Sequence, residues 1–303
     1  MTGTRLSIWP TLSRDWPAVT HIADHADAEG WDGVWVADHF MGDGASFGPA
    51  TTPMLEATAA LSALAASTNR VRLGSLVFGT TYRHPAVMAN WAATTDQISG
   101  GRLVLGVGAG WQQNEHSQYG IDLPPVADRV SRFAEVCEVA RRLLREERVD
   151  FHGDWFDLTD ALCEPKPATT IPLLVGGKGD RMLSVAARWA DEWNMWALPD
   201  LFAERGAVLD RACEAIGRDP SEIKRSVQAL VFLTDDPATG RDLVEAVAPR
   251  AAVAGPPQVF AEAVADWAEV GVDEVIVPDF TLGSPEATID AMDALAEVVA
   301  EFR

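Results

Sequence analysis

Short apolar runs alternate with longer amphipathic stretches along this sequence, and that alternation is the mark of parallel βα units. Eight such runs stand out, at residues 5–9, 33–37, 71–77, 103–107, 172–175, 192–195, 226–233 and 274–277. Most are apolar throughout, as strands covered on both faces should be. Eight strands favour closure, and 303 residues suit one α/β barrel better than an open doubly wound sheet. The expectation is therefore an α/β fold, a TIM (β/α)8 barrel with insertions at its C-terminal mouth, formed by residues 1–303 as a single domain.

The intervening stretches carry a 3.6-residue stripe, clearest at Phe133, Val136, Cys137, Ala140, Leu143 and Leu144, and again at Ile289, Met292, Leu295, Val298, Val299 and Phe302. Pro85 after His84 and Pro220 after Asp219 mark helix starts. Residues 111–126 and 147–171 are too long for simple connections, and the second contains FHGDWFDL, with hairpin-like alternation. Residues 199–217 and 239–271 read as mostly helical and exceed what one crossover needs.

Apolar residues make up 48% of the chain, yet no run approaches the roughly 20 residues needed to span a bilayer. The first residues show no export signal, so the expected location is the cytoplasm. A formal net charge of −21 argues against nucleic acid and membrane surfaces as partners, because binding phosphates requires a basic face. Cys137, Cys163 and Cys213 are odd in number and widely spaced, which fits buried thiols rather than disulfides or zinc.

Barrel chemistry sits at the carboxyl ends of the strands. The run at 33–37 leads into Asp38-His39-Phe40, an acceptor beside a group suited to proton transfer, although a histidine there also serves to cap a strand. Gly176-Gly177-Lys178-Gly179 follows the fifth run and precedes a helical stretch. Its glycines, the helix N-terminus, Lys178 and Arg181 form a phosphate cradle, against the alternative of a tight turn with a solvated lysine. Gly106-x-Gly108-x-Gly110 lacks the following helix and the acidic partner of a dinucleotide fingerprint, and its glycines more simply admit a flat ring or a neighbouring backbone. His21 and His25 have ligand spacing on one helix, but an outer helix lies away from the mouth and no metal is expected. Arg83 and His84 either touch a ligand or cap the third helix. Trp9, Trp111, Trp193 and Trp196 lie near strand ends, where their rings either stack on a planar cofactor or pack in the core.

Leu73-Gly-Ser-Leu-Val, Tyr82-Arg-His-Pro-Ala-Val, Asp96-Gln-Ile-Ser-Gly-Gly-Arg-Leu and Gly106-Val-Gly-Ala-Gly-Trp with Glu115-His116 together resemble the luciferase-like monooxygenase superfamily, and within it the members that use the deazaflavin coenzyme F420. The resemblance runs from the first strand to the last. It implies a barrel with the cofactor across the carboxyl mouth, a homodimer, and a non-proline cis peptide in the third strand, here at Ser75–Leu76. It also implies cofactor contacts at Asp38, His39, Ser75, Leu76, Val77, Gly108 and the Gly176, Gly177, Lys178, Gly179 loop, with Trp111 and Arg181 beside them. Sugar-phosphate dehydrogenases of the family carry a glutamate where Trp111 stands, so the resemblance does not extend to that substrate class. Glu115, one turn on, reads either as an acid or as an outward-facing loop carboxylate.

The functional expectation is hydride transfer between F420 and a small carbonyl, imine or alkene substrate, with His39, Asp38 and Glu115 as catalytic residues. The alternatives are an FMN-dependent monooxygenase supplied by a separate reductase, and a non-catalytic flavin carrier on the same scaffold.

Overall fold

The computed structural model describes residues 3–44 and 47–300. In chain order its strands are β1 (Arg5–Trp9), β2 (Gly33–Val36), β3 (Arg72–Ser75), β4 (Phe78–Gly79), β5 (Leu103–Gly108), β6 (Val149–His152), β7 (Asp157–Ala161), β8 (Leu173–Gly176), β9 (Glu192–Trp196), β10 (Lys224–Gln228), β11 (Leu230–Leu233), β12 (Ala252–Gly255) and β13 (Glu274–Pro278). The helices are α1 (Trp16–Ala28), α2 (Ala57–Ser67), α3 (Pro85–Ser99), α4 (Gln113–Tyr119), α5 (Val126–Arg145), α6 (Asp180–Trp189), α7 (Pro199–Glu214), α8 (Pro237–Val247), α9 (Pro257–Glu269) and α10 (Pro285–Ala300).

Strands β1, β2, β3, β5, β8, β9, β10 and β13 pair in that order, all parallel, and β13 returns to β1, so the eight-stranded barrel closes. Period-2 alternation divides each strand between two cores. Ile8, Val34, Leu105, Val107, Val175 and Val277 face the helices in one large cluster, while Trp9, Trp35, Leu76, Val104, Leu174 and Ile276 form a smaller one inside the barrel. At the amino end of the interior, Arg72 pairs with Glu192 and, at 2.6 Å, with Glu274, whose other oxygen takes Ser7 at 2.6 Å and the Trp35 indole at 2.9 Å. This buried ionic plug has no signature in the local sequence.

Helix faces follow the expected stripes. Phe133, Val136, Cys137, Ala140, Leu143 and Leu144 are buried on α5, and Met292, Leu295 and Val299 on α10, whereas Phe302 lies outside the described residues. The three cysteines are buried thiols. His84 caps α3, its Nδ1 accepting from the Ala86 N–H at 3.2 Å. Pro220 starts only a single 3₁₀ turn, Pro220–Glu222. FHGDWFDL does form an antiparallel hairpin, β6 with β7.

Three sequence expectations need correction. The run 226–233 is two strands: past Gln228 its pairing with β9 and β13 stops, and β11 pairs instead with β12 in a separate two-stranded sheet. The run 71–77 breaks after Ser75, and the chain rejoins β5 through β4. The non-proline cis bond lies one residue later than the resemblance implies, at Leu76–Val77 rather than Ser75–Leu76. Among the described residues no helix is long and apolar enough to cross a membrane.

Candidate active site

The carboxyl ends of the barrel strands surround a cavity of about 300 Å³. Asp38 and His39 border it from beyond β2, Leu76 and Val77 from beyond β3, Gly108 from β5, Gly176 to Lys178 from β8, Trp196 from β9 and Gln228 from β10. Tyr82 and Trp111 complete the rim. An apolar pocket of about 260 Å³ continues behind Val77 and Trp111 toward Val126, Val130 and Met182.

His39 and Asp38 are adjacent in sequence but point to different partners. His39 Nδ1 lies 2.9 Å from Glu115 Oε1, and its Nε2 has no protein partner among the described residues. Glu115 therefore is not an outward-facing carboxylate: it is fully buried on α4. The Tyr82 hydroxyl also donates to Oε1, and the Phe40 N–H donates to Oε2 at 2.8 Å. Burial alone would raise the Glu115 carboxyl, but the bonds from His39, Tyr82 and Phe40 outweigh it and hold the group below its ordinary value. Burial and the Glu115 charge push Tyr82 upward, so its proton stays in place as a donor. With a carboxylate on Nδ1, that nitrogen keeps its proton and Nε2 is the atom free to exchange one.

Asp38 is 2% exposed and accepts two bonds from Arg83, at 2.5 and 2.9 Å, and one from the Gly79 N–H at 3.0 Å. Burial pushes its carboxyl up and the Arg83 guanidinium opposes that. With every contact turned to Arg83 and Gly79, Asp38 anchors the β4 to α3 turn that carries Tyr82. Arg83 also pairs with Glu56, the N-cap residue of α2, so its charge is fully engaged by protein carboxylates. His116, next to Glu115, is buried, with Nδ1 donating to the Gln112 carbonyl at 2.6 Å and Nε2 2.7 Å from the Thr81 hydroxyl. That fastening holds α4, and with it Glu115, against the turn.

Two glycines in the central run are required by neighbours. A Cβ on Gly106 would stand 1.9 Å from the Ser75 carbonyl oxygen, and one on Gly108 would stand 2.5 Å from Val77 Cγ2. Of the remaining candidates, Ser75 is buried with its hydroxyl on the Gly106 carbonyl at 2.7 Å, and it does not line the cavity. Gly179 is the N-cap of α6 and also lies off the lining. Arg181 turns to α5, bonding the Ala127 carbonyl at 3.2 Å and Ser131 Oγ at 3.0 Å. Lys178 alone of that loop's cations reaches the cavity, exposed and with no ion pair among the described residues. Trp193 is core, stacked on Phe202 with its indole on the Gly177 carbonyl at 2.7 Å. Trp9 is buried inside the barrel beneath Trp196, and Trp111 stays 55% exposed with its edge toward His39. His25 pairs with Asp293 at 2.7 Å across to α10, far from this mouth.

Sequence reasoning missed Tyr82 as a functional group, although its motif was quoted, because its hydroxyl meets Glu115 only once α4 is folded over the turn. It also missed Asn194 and Gln228. Asn194 donates to Ser226 Oγ at 2.9 Å, and Gln228, with its amide oriented by that network, accepts from Trp196 Nε1 at 2.9 Å. The signal was polar residues at the ends of otherwise apolar strands.

The family model for luciferase-like monooxygenases matches residues 1–301. The chain is 32% identical over 221 residues to an F420-dependent glucose-6-phosphate dehydrogenase of Kineococcus radiotolerans, covering 72% of this chain and 64% of that protein. It is 34% identical over 173 residues to the pyrimidine monooxygenase RutA of Escherichia coli, covering 54% and 47% of the two chains. The chain thus spans less than two thirds of the length of these relatives. An F420-dependent secondary alcohol dehydrogenase, in complex with an F420-acetone adduct, superposes with a TM-score of 0.85 at 20% identity, over 98% of this chain and 99% of that one. With its closed barrel and a match along nearly its whole length, the chain belongs to the luciferase-like monooxygenase family.

Proposed function

We propose that this chain is an F420-dependent oxidoreductase in which His39 exchanges a proton at Nε2 while a hydride passes between the deazaflavin and a small carbonyl, imine or alkene. The observation that carries this reading is the His39–Glu115 pair: a buried carboxylate at 2.9 Å from Nδ1, on a residue that lines the cavity, leaves Nε2 as the nitrogen without a protein partner among the described residues and so the proton-exchanging atom. Glu115 stabilises the imidazolium when His39 holds the proton. Tyr82 and the Phe40 N–H fix the carboxylate in place, and Asp38 with Arg83 positions the turn that presents Tyr82.

The donor set fits a phosphate-bearing planar group. Lys178 is unpaired at the rim, the N-terminus of α6 has no side-chain cap, and Arg129 Nε is buried without a partner beside the adjoining pocket. Leu76 and Val77 supply apolar surface on which a flat ring can rest. When bound, F420 supplies a carbon-centred hydride carrier that reacts poorly with oxygen. The curated relatives named as F420-dependent dehydrogenases support that cofactor over FMN.

Titration of the apoprotein with F420 and, separately, with FMN tests the assignment. Tight F420 binding with weak FMN binding is expected, and His39→Gln should keep that affinity while losing turnover. A His39→Gln protein as active as the wild type would overturn the proton role, and one with no wild-type turnover to lose would favour the carrier reading. The relative RutA supports a second reading, an FMN monooxygenase served by a reductase. Substrate oxidation that requires reduced FMN and consumes oxygen would select it.

A further inference from the structure

Arg250 follows α8 and projects toward the rim. Its guanidinium carbon stands 5.2 Å from the ring centre of Trp196 and 5.2 Å from that of Phe47. Trp196 borders the cavity, and Phe47 lies 5.4 Å, ring centre to ring centre, from His39. One aromatic ring therefore separates this guanidinium from the imidazole.

Arg250 is partly buried and feels the charge of Asp43, yet its guanidinium makes no side-chain hydrogen bond and no ion pair among the described residues. Two other arginines near the mouth are engaged, Arg83 by Asp38 and Glu56 and Arg181 by Ala127 and Ser131, while Arg129 bonds the Gly110 carbonyl at 2.8 Å through Nη1 and keeps the buried Nε already noted. Withdrawing a cation from water without an acceptor is unfavourable, and ring contacts recover only part of that. Neither ring offers the guanidinium an acceptor oxygen, so its in-plane N–H donors suit an incoming oxyanion. Trp196 is itself held by Gln228, so the platform under the cation is fixed before any ligand arrives.

We propose that Arg250 is the specificity-determining residue of this site and that the substrate carries a carboxylate, which Arg250 binds through a bidentate pair. The inference rests on the proposed hydride-transfer reading, because it places the reacting carbon between this anchor and His39. A single guanidinium matches the geometry and charge of a carboxylate. A phosphate dianion calls for further cations, and Lys178, which lines the cavity whereas Arg250 stands behind Trp196, belongs to the loop assigned to the cofactor. The substrate is then a small oxo, imino or unsaturated acid whose apolar portion contacts Trp196 and Phe47.

The test is calorimetric titration of the full-length protein, with and without F420, using phenylacetate, its uncharged counterpart phenylacetamide, and phenyl phosphate. The wild type should bind phenylacetate and reject phenylacetamide. Arg250→Met should weaken phenylacetate binding by about 10- to 100-fold, the loss expected for a charge-assisted pair, with the F420 dissociation constant unchanged. Arg250→Lys, which keeps the charge but not the fork, should fall between the two. The proposal is overturned by equal binding of acid and amide, by unaltered phenylacetate binding in Arg250→Met, by no phenylacetate binding to the wild type, or by at least tenfold preference for phenyl phosphate. Acid-over-amide discrimination that depends on Arg250, in a protein that does not bind F420, would sink the cofactor reading while supporting Arg250 as the carboxylate anchor.

Discussion

Replacing Glu115 by glutamine tests the site at the atoms where its hydrogen bonds converge. Oε1 takes His39 Nδ1 and the Tyr82 hydroxyl, and Oε2 takes the Phe40 N–H. An amide keeps one acceptor and turns an NH2 toward the donor left at the other position. At a fully buried position, one unsatisfied donor costs about 1–3 kcal/mol, which on a chain of this size lowers Tm by roughly 2 °C per kcal/mol. The second effect falls on catalysis. A hydrogen bond to a charged group contributes about 1.5–3 kcal/mol, so losing the carboxylate that stabilises protonated His39 should lower kcat by about 10- to 150-fold. Both are measurable on one preparation: Tm by scanning calorimetry, and kcat from the deazaflavin absorbance at saturating F420. The F420 dissociation constant should move little, because Glu115 does not line the cavity. A Tm drop of the expected size with kcat within twofold of wild type would refute the coupling and leave Glu115 as a structural acceptor only.

Three further outcomes are expected. Lys178→Ala should weaken F420 binding about three- to tenfold in dilute buffer and much less at 1 M salt, because an exposed charge is readily screened. Arg72→Met should cost about 3–5 kcal/mol in urea denaturation at pH 8 by stranding Glu192 and Glu274 inside the barrel; burial already raises Glu192, so the deficit should shrink as pH is lowered and that carboxyl takes up a proton. Glu56 and Glu115 have folded-state values below the ordinary glutamate value of 4.5, so their stabilisation is present above that value and is lost as pH falls through the lower folded values; Asp38 and Asp279, raised by burial, act in the opposite sense. For this Glu pair, Tm should hold from pH 7 to 5 and decline below about pH 4.5, and Glu115→Gln should flatten that decline. A decline already complete at pH 5.5 would contradict it.

The barrel was legible because its strands are short, apolar and regularly spaced, and because the wall needs only that period. Residues 226–233 show where local pattern runs out. Leu230–Leu233 continues the apolar run past Gln228, and nothing local says that pairing with β9 and β13 stops there. The glycine run was legible as a close approach, but only the folded chain shows that the approaching groups are the Ser75 carbonyl and Val77. Asp38-His39 read as one acid-base unit because the two are neighbours in sequence. Adjacent side chains leave an extended segment in different directions, so Asp38 meets Arg83, 45 residues on, and His39 meets Glu115, 76 residues on.

Charge explains why those long-range partners matter more than the composition suggests. At −21 the protein repels anions as a whole, but at physiological ionic strength that field is screened beyond about 8 Å, and recognition falls to individual cations at the mouth. Most arginines there are consumed internally: Arg83 holds Asp38 and Glu56 together, and Arg181 ties α6 to α5. These cations organise the walls instead of meeting a ligand. Among the described residues Lys178, after β8, and Arg250, after α8 and beside Trp196, form no ion pair. They come from different segments, one after β8 and one between α8 and β12, so on the proposed reading two anionic groups on two molecules are held at once, one at each cation. The proposed hydride transfer needs that separation, since cofactor and substrate must both be anchored without competing for the same charge.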